Sequence, residues 1–218
     1  NTLATATNDS NSTVVIGDAA MSNSSGASGC VVIGQAAGNS MTGNSNTVVG
    51  YGAYYGVSTG QSNVIMGYQA GNAANMTNAV MVGFRAGYVN TANSNVYIGG
   101  ESGRNNTSGG SNVFVGADAG YGNVSGSSNS YVGTQAGLYA TGSFNTALGH
   151  LALGAASNTA ADNTAIGYYA GNKITSGTQN TLLGKNAGAN LTTGAYNVAI
   201  GNLALTSDNG SNHNIAIG

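Results

Sequence analysis

The stretch NTAIGYYAG at residues 163–171 is one copy of a phrase that recurs along the whole chain. Close copies are NVIMGYQAG from Asn63, NVFVGADAG from Asn112, NTLLGKNAG from Asn180 and NVAIGNLAL from Asn197. Each copy is a short apolar stretch that ends on a glycine, here called the anchor glycine. Successive anchor glycines are 16 to 18 residues apart. They are Gly17, Gly34, Gly50, Gly67, Gly83, Gly99, Gly116, Gly133, Gly149, Gly167, Gly184, Gly201 and Gly218.

Composition and charge exclude several classes of protein. The 218 residues include 37 Gly and no Pro, and only 5% are charged, far from the composition of an ordinary globular domain. A net charge of -2, with four Lys and Arg in total, gives neither a basic surface for nucleic acid nor a polybasic patch for membranes. No apolar run approaches the roughly 20 residues of a membrane helix, and the residues NTLATATNDSN lack the charged start and apolar core typical of a signal peptide. Because the first residue is not Met, we interpret the chain as a mature product or a segment of a longer one.

The residues before each anchor glycine predict the fold. The residue directly before it is always aliphatic or Met, and the residue three before it is β-branched in every copy except Ser130. We call these two positions, one and three residues before the anchor glycine, the flanking columns. Their side chains point to the same side of a strand, because side chains alternate with period two. We expect the column directly before the glycine to be core.

A strand this short cannot fold alone, so the repeats must stack. The sequence therefore predicts an all-β protein, a parallel β-solenoid of about thirteen coils of 16–18 residues that forms a single array over residues 1–218.

A column of asparagines precedes the strands, four residues before the anchor glycine. In a stack of coils, each Asn amide could bond to the Asn of the next coil and to the turn backbone. Thr13, Cys30 and Ala79 replace Asn in three copies. The predicted structural ladder consists of Asn46, Asn63, Asn95, Asn112, Asn129, Asn145, Asn163, Asn180, Asn197 and Asn214.

The central column, two residues before the anchor glycine, should face away from the flanking columns, yet it is apolar or aromatic in every copy. A solvent-exposed apolar stripe is rare in monomers, and strands that are apolar on both faces are normally buried on both. We therefore interpret this column as an interface with other copies, around a threefold or twofold axis. The alternative is that the coil reverses the facing and places the central column inside. The predicted interface residues are Ile65, Met81, Tyr97, Phe114, Tyr131 and Leu182.

The titratable residues do not form a pattern that predicts catalysis. Acid–base catalysis needs two positioned groups, whereas the acids are spread over different coils: Asp9, Asp18, Glu101, Asp118, Asp162 and Asp208. His150 and His213 lie in different columns without further ligands at metal-site spacing. The single Cys30 is interpreted as a small buried residue. We expect no enzyme activity, no metal and no cofactor.

Aromatic side chains give the best indication of a binding surface. Tyr51, Tyr68, Phe84 and Tyr168 all follow an anchor glycine directly. Tyrosine beside Asn and Ser suits stacking on sugar rings, so these four residues are candidate glycan contacts. The alternative interpretation is that they stack on one another between coils and fill the corners.

The phrases NTAIG and NVAIG, followed by AG or AL, resemble the head repeats of trimeric autotransporter adhesins of the YadA-like and Hep/Hag kind, and repeats of bacteriophage and bacterial surface fibres. The resemblance covers essentially the whole chain. It implies a left-handed β-roll assembled as a homotrimer, with a role in adhesion outside the cell, at a cell surface or on a virion. The coils here are longer than the usual autotransporter head repeat. The alternative is a monomeric solenoid that binds glycans or ice.

The two ends of the chain predict a further form of association. The first residues, NTLATATN, match the phrase that follows an anchor glycine, and the last residue is itself an anchor glycine. Neither end shows a capping coil, which solenoids need to cover their edges. We therefore expect continuing repeats or end-to-end stacking into a filament.

Overall fold

The fold is a parallel β-solenoid, as the repeats predict. The computed structural model describes residues 12–56, 58–73, 75–155, 158–207 and 209–218, so the opening phrase NTLATATN, Asp9 and Asp208 lie outside the described residues. The chain forms two compact units, Asn1–Ser108 and Gly109–Gly218. The first contains β1 (Val14–Ile16), β2 (Val31–Ile33), β3 (Thr47–Val49), β4 (Val64–Met66), β5 (Val80–Val82) and β6 (Val96–Ile98). The second contains β7 (Val113–Val115), β8 (Ser130–Val132), β9 (Thr146–Leu148), β10 (Thr164–Ile166), β11 (Thr181–Leu183), β12 (Val198–Ile200) and β13 (Ile215–Ile217).

Within each unit, every strand pairs in parallel with the strand of the next coil, and equivalent residues of the repeat lie opposite one another. Val14 pairs with Val31 in the first unit, and Thr164 pairs with Thr181 in the second. Backbone hydrogen bonds continue beyond the strands: the Gly184 N–H donates to the Ile166 carbonyl at 2.8 Å. Because the bonds join turns as well as strands, every column of the sequence becomes a ladder from coil to coil.

The prediction of which strand face is inside is wrong. The central column is fully buried within the chain in β2 to β12, whereas no residue of the flanking columns is buried. Ile166, expected in the core, is only half-buried, and Leu148 has 46% of its surface exposed. The alternative, with the central column inside, is what the structure has. The six residues predicted to meet other copies are therefore core residues: Ile65, Met81, Tyr97, Phe114, Tyr131 and Leu182.

The interior is filled by complementary side-chain sizes. Tyr97, Phe114 and Tyr131 in the central column are each followed six residues later by a glycine. A Cβ on Gly103 would lie 2.6 Å from the Tyr97 ring, so the glycine makes room for the aromatic ring. Where the central residue is Ala147, the buried Leu153 occupies the position that glycine holds in those coils. In these coils a large residue in one column is thus matched by a small one in another, as close packing requires.

Two aromatic rings of the central column stack in the core of the second unit. Phe114 and Tyr131 lie nearly parallel, with ring centroids 4.8 Å apart. Burial raises the pKa of the Tyr131 hydroxyl, and the Asn145 side chain opposes that rise. The hydroxyl nevertheless has no partner in hydrogen-bonding geometry among the described residues. The contact between the two rings is therefore what this pair contributes to the core.

The anchor glycines are required by two independent constraints. Their φ angles lie between 126° and 141°, a region that L-residues rarely adopt. A Cβ on Gly167 would lie 2.3 Å from the carbonyl oxygen of Gly184, the anchor glycine of the next coil. Glycine at the anchor position thus allows the backbone of the following coil to approach at the sheet spacing.

Adjacent leucines in β11 test the assignment of the two strand faces. Leu182 is fully buried, whereas Leu183 is 45% exposed. We expect Leu182→Ala to lower the free energy of unfolding by about 2–5 kcal/mol, because it leaves a cavity. Leu183→Ala should lower it by less than about 1 kcal/mol, because its side chain is half in solvent. Urea unfolding at concentrations where the chain is monomeric measures both; equal losses would contradict the assignment.

Two glycines provide a matched test of the backbone constraint. Gly167→Ala should destabilise the chain by at least about 3 kcal/mol, since it combines an unfavourable φ with backbone overlap. Gly100→Ala is the control, because a Cβ at Gly100 meets nothing within 4 Å. Thermal and urea unfolding of both variants should show a change within about 1 kcal/mol for the control. A Gly167→Ala variant as stable as the control would disprove the constraint.

Candidate functional site

Within each unit, asparagines of this column form a hydrogen-bonded ladder at the inner corner of the coils. In the first unit Ala79 interrupts it, because this residue has no side-chain amide. The Asn163 N–H donates to the Asn145 Oδ1 at 3.0 Å, and the Asn163 Oδ1 accepts from the Asn180 N–H and Nδ2, both at 3.0 Å. The Asn163 Nδ2 also donates to the carbonyls of Gly177 at 2.9 Å and Ala161 at 3.0 Å. One buried amide therefore joins three successive coils and satisfies backbone groups that would otherwise be buried without partners.

The same bonds recur in both units. In the first, the Asn63 N–H and Nδ2 donate to the Asn46 Oδ1, each at 3.0 Å. In the second, the backbone N–H of every ladder residue from Asn129 to Asn214 donates to the Oδ1 of the ladder residue before it. Cys30, which replaces Asn, is buried and accepts from the Asn46 N–H through its sulfur at 3.5 Å. The thiol therefore takes the place of the amide in the ladder.

Removal of one ladder amide should destabilise the fold. We expect Asn163→Ala to lower the free energy of unfolding by about 2–5 kcal/mol, because the buried groups of Asn180 and Gly177 lose their partners. Asn190→Ala is the control, since the Asn190 side chain is exposed although it bonds to the Thr206 carbonyl at 2.7 Å. The control should change stability by about 0.5 kcal/mol or less. Similar losses in the two variants would mean that the ladder contributes little.

The flanking columns form an outward surface that we call the outer sheet face. Its exposed apolar members in β2 to β11 range from 37% at Val31 to 46% at Leu148. No member carries a charge, and Ser and Thr are its only polar residues. In the first unit it consists of Val14, Ile16, Val31, Ile33, Thr47, Val49, Val64, Met66, Val80, Val82, Val96 and Ile98. In the second it consists of Val113, Val115, Ser130, Val132, Thr146, Leu148, Thr164, Ile166, Thr181, Leu183, Val198, Ile200, Ile215 and Ile217.

The aromatic residues after the anchor glycines stack on one another. Tyr51 and Tyr68 have ring centroids 5.4 Å apart, and Tyr68 and Phe84 repeat that distance, with interplanar angles of 8° and 12°. Tyr168 stacks on His150 at 5.5 Å, with the Lys185 Nζ 5.9 Å from its centroid. Their edges are exposed, but stacking covers both faces of Tyr68, so a sugar cannot lie on that ring.

A tyrosine outside this column has the more accessible ring. Tyr55, five residues after its anchor glycine, is 48% exposed and stacks on no other ring in the described part of the chain. The sequence reasoning placed the candidate sugar contacts directly after the glycines and missed it. The available signal was the coil spacing: aromatics at one repeat position in successive coils lie about 4.8 Å apart and cover each other, whereas Tyr55 is followed by Asn72 in the next coil.

The charged residues are dispersed or paired. Arg104 forms an ion pair with Glu101 at 3.1 Å, and the Arg85 Nε donates to the Gln69 Oε1 at 3.1 Å. Over the described ranges, no three His, Cys, Asp or Glu residues are grouped so that they could hold a metal ion. The same ranges contain no helix long and apolar enough to span a bilayer.

Comparison with protein-family models, with curated proteins and with solved structures finds no match to this chain. Function must therefore be inferred from the two surfaces that the geometry presents, the outer sheet face and the turns around Tyr55.

Proposed function

We propose that this chain is a structural segment of an extracellular fibre, such as a surface adhesin, phage tail fibre or surface filament, and that it associates with copies of itself as a homotrimer. The observation that carries the proposal is the chemistry of the strands. Strands such as Val113–Val115 are apolar on both faces, but their own coils cover only one. Strands of this kind are normally buried on both faces.

Another copy of the chain is the partner that fits the outer sheet face best. The face repeats once per coil, at about 4.8 Å, along each unit. A second copy presents the same β-branched rows at the same interval, so the two surfaces can interdigitate in register over many coils. The absence of charge on both sides avoids the desolvation penalty of burying ions. A globular partner would lack the matching repeat.

The ladders support a mechanical role. Within each unit, neighbouring coils are joined through backbone bonds and close glycine contacts, and buried amides add further bonds in most coils. Such an array loses many bonds together when one coil is displaced, and this is the property that an attachment rod requires. The likeness to autotransporter heads and phage fibres favours a location outside the cell or on a virion.

A monomeric binding module is the second candidate, and one observation favours it. Thr146, Thr164 and Thr181 project from the outer sheet face in three successive paired strands. A regular array of threonines on a solvent-facing sheet could bind a repeating surface such as ice. Valine and isoleucine occupy most of the other positions, so we prefer self-association.

A lysine placed on the outer sheet face tests the proposal. Val132→Lys should weaken association at least tenfold, because it would bury a charge between copies. Thr134→Lys, two residues further on and exposed in the turn, is the control and should associate as wild type does. Sedimentation velocity over a range of concentrations measures both. A monomeric wild-type chain, or equal association of the two variants, contradicts the proposal; a monomer that also depresses the freezing point favours the second candidate.

A further inference from the structure

An open cleft of about 390 Å³ lies at the turns of three successive coils in the first unit. It is lined by Ala36, Tyr51, Gly52, Tyr55, Gln69 and Asn72. None of these residues belongs to a strand, so the cleft is distinct from the outer sheet face. Its lining combines two aromatic rings with two amides and carries no charge, a combination that neither the core nor the proposed assembly uses.

Hydrogen bonds within the protein fix the orientation of both amides. The Arg85 Nε donates to the Gln69 Oε1 at 3.1 Å, which leaves the Gln69 Nε2 as a donor toward a ligand. The Asn72 Nδ2 donates to the Gly52 carbonyl at 3.2 Å, which leaves the Asn72 Oδ1 as an acceptor. The cleft thus offers one oriented donor group and one oriented acceptor.

The tyrosines supply the apolar part of the cleft. Tyr51 is stacked on Tyr68 along one face, whereas Tyr55 is not covered by any ring of the described residues. An aromatic face beside oriented hydrogen-bonding groups matches a pyranose ring, which has an apolar face of C–H groups and hydroxyls around its edge. A hydroxyl both donates and accepts, so neighbouring hydroxyls fit a donor and an acceptor together.

We propose that the Tyr55 cleft is a binding site for a neutral saccharide. One pyranose ring stacks on Tyr55, while one hydroxyl accepts from the Gln69 Nε2 and a neighbouring hydroxyl donates to the Asn72 Oδ1. None of the lining residues carries a charge, and the Arg85 guanidinium beside the cleft is directed to Gln69, so the groups that face the ligand suit a neutral sugar. In the proposed fibre, this site would give the shaft itself a means of contacting glycans.

A related cleft in the second unit lacks this combination. It has a volume of about 170 Å³ and contains Tyr121 and Gln135 at the repeat positions of Tyr55 and Gln69. There, however, the Gln135 Nε2 is directed to the Asp118 Oδ2 at 3.5 Å, and Tyr121 is in edge contact with Tyr139. Its donor is engaged within the protein, so we place the saccharide site at Tyr55 alone.

Saturation-transfer NMR on the whole 218-residue chain tests the proposal, with the methyl glycosides of glucose, galactose, mannose and N-acetylglucosamine as probes. At least one should receive saturation, and Tyr55→Ala should weaken its binding at least tenfold. Gln69→Glu should do the same while it preserves the size of the side chain, because it replaces the donor with an acceptor. Tyr196→Ala, which removes a tyrosine of 52% exposure outside the cleft, should bind as wild type does.

The outcomes separate this proposal from that of self-association. Transfer to none of the four sugars overturns the saccharide site, as does transfer that survives either Tyr55→Ala or Gln69→Glu. Circular dichroism of each variant establishes that the coils are intact, and sedimentation velocity on the same samples reports association independently. A chain that binds sugar as a monomer would retain this site while the homotrimer failed.

Discussion

The buried asparagine amide is the interaction on which the rest of this fold depends. It holds one coil against the next through both its oxygen and its nitrogen, and it also determines which way the strand faces. Side chains two residues apart lie on the same side of a strand, so a buried Asn163 requires a buried Ala165. The flanking residues Thr164 and Ile166 must then point outward. A polar residue thus decides where the apolar core lies.

The sizes of the residues on the two strand faces are constrained in different ways. The central column ranges from Ala147 to Tyr131, because each coil can compensate for a change in size with a change at another inward position, as Gly103 does for Tyr97. The flanking columns have no neighbour within the coil that could compensate in this way. They hold residues of similar size in almost every coil, which is the pattern expected where a surface must meet an identical surface.

The repeat length, the parallel strands and the column structure could all be predicted, because spacing and alternation are properties of the sequence alone. The choice of inner face could not be made from hydropathy, since Leu182 and Leu183 are equally apolar. The signal that was missed is the relation between the asparagine column and the central column: if Asn180 forms a ladder between coils, Leu182 shares its side. For the aromatic residues, the sequence left two interpretations open, sugar contact and stacking between coils; the structure has the stacking, which covers Tyr68 and leaves Tyr55 accessible.

In a repeat protein of this kind, a ligand site is expected at the turns for a physical reason. The anchor glycine, the asparagine and the inward residues are each constrained by the coil above and the coil below, so a change in any of them disturbs several coils. The outer sheet face is constrained in turn if a copy of the chain must fit it. The side chains of the first, second and fifth residues after the anchor glycines vary most, and they include Asp118, Arg85, Gln69 and Tyr55 as well as glycine, although the second residue keeps a positive φ. A repeat protein can therefore vary these residues to acquire a ligand while its ladders stay unchanged, and the Tyr55 cleft lies among them.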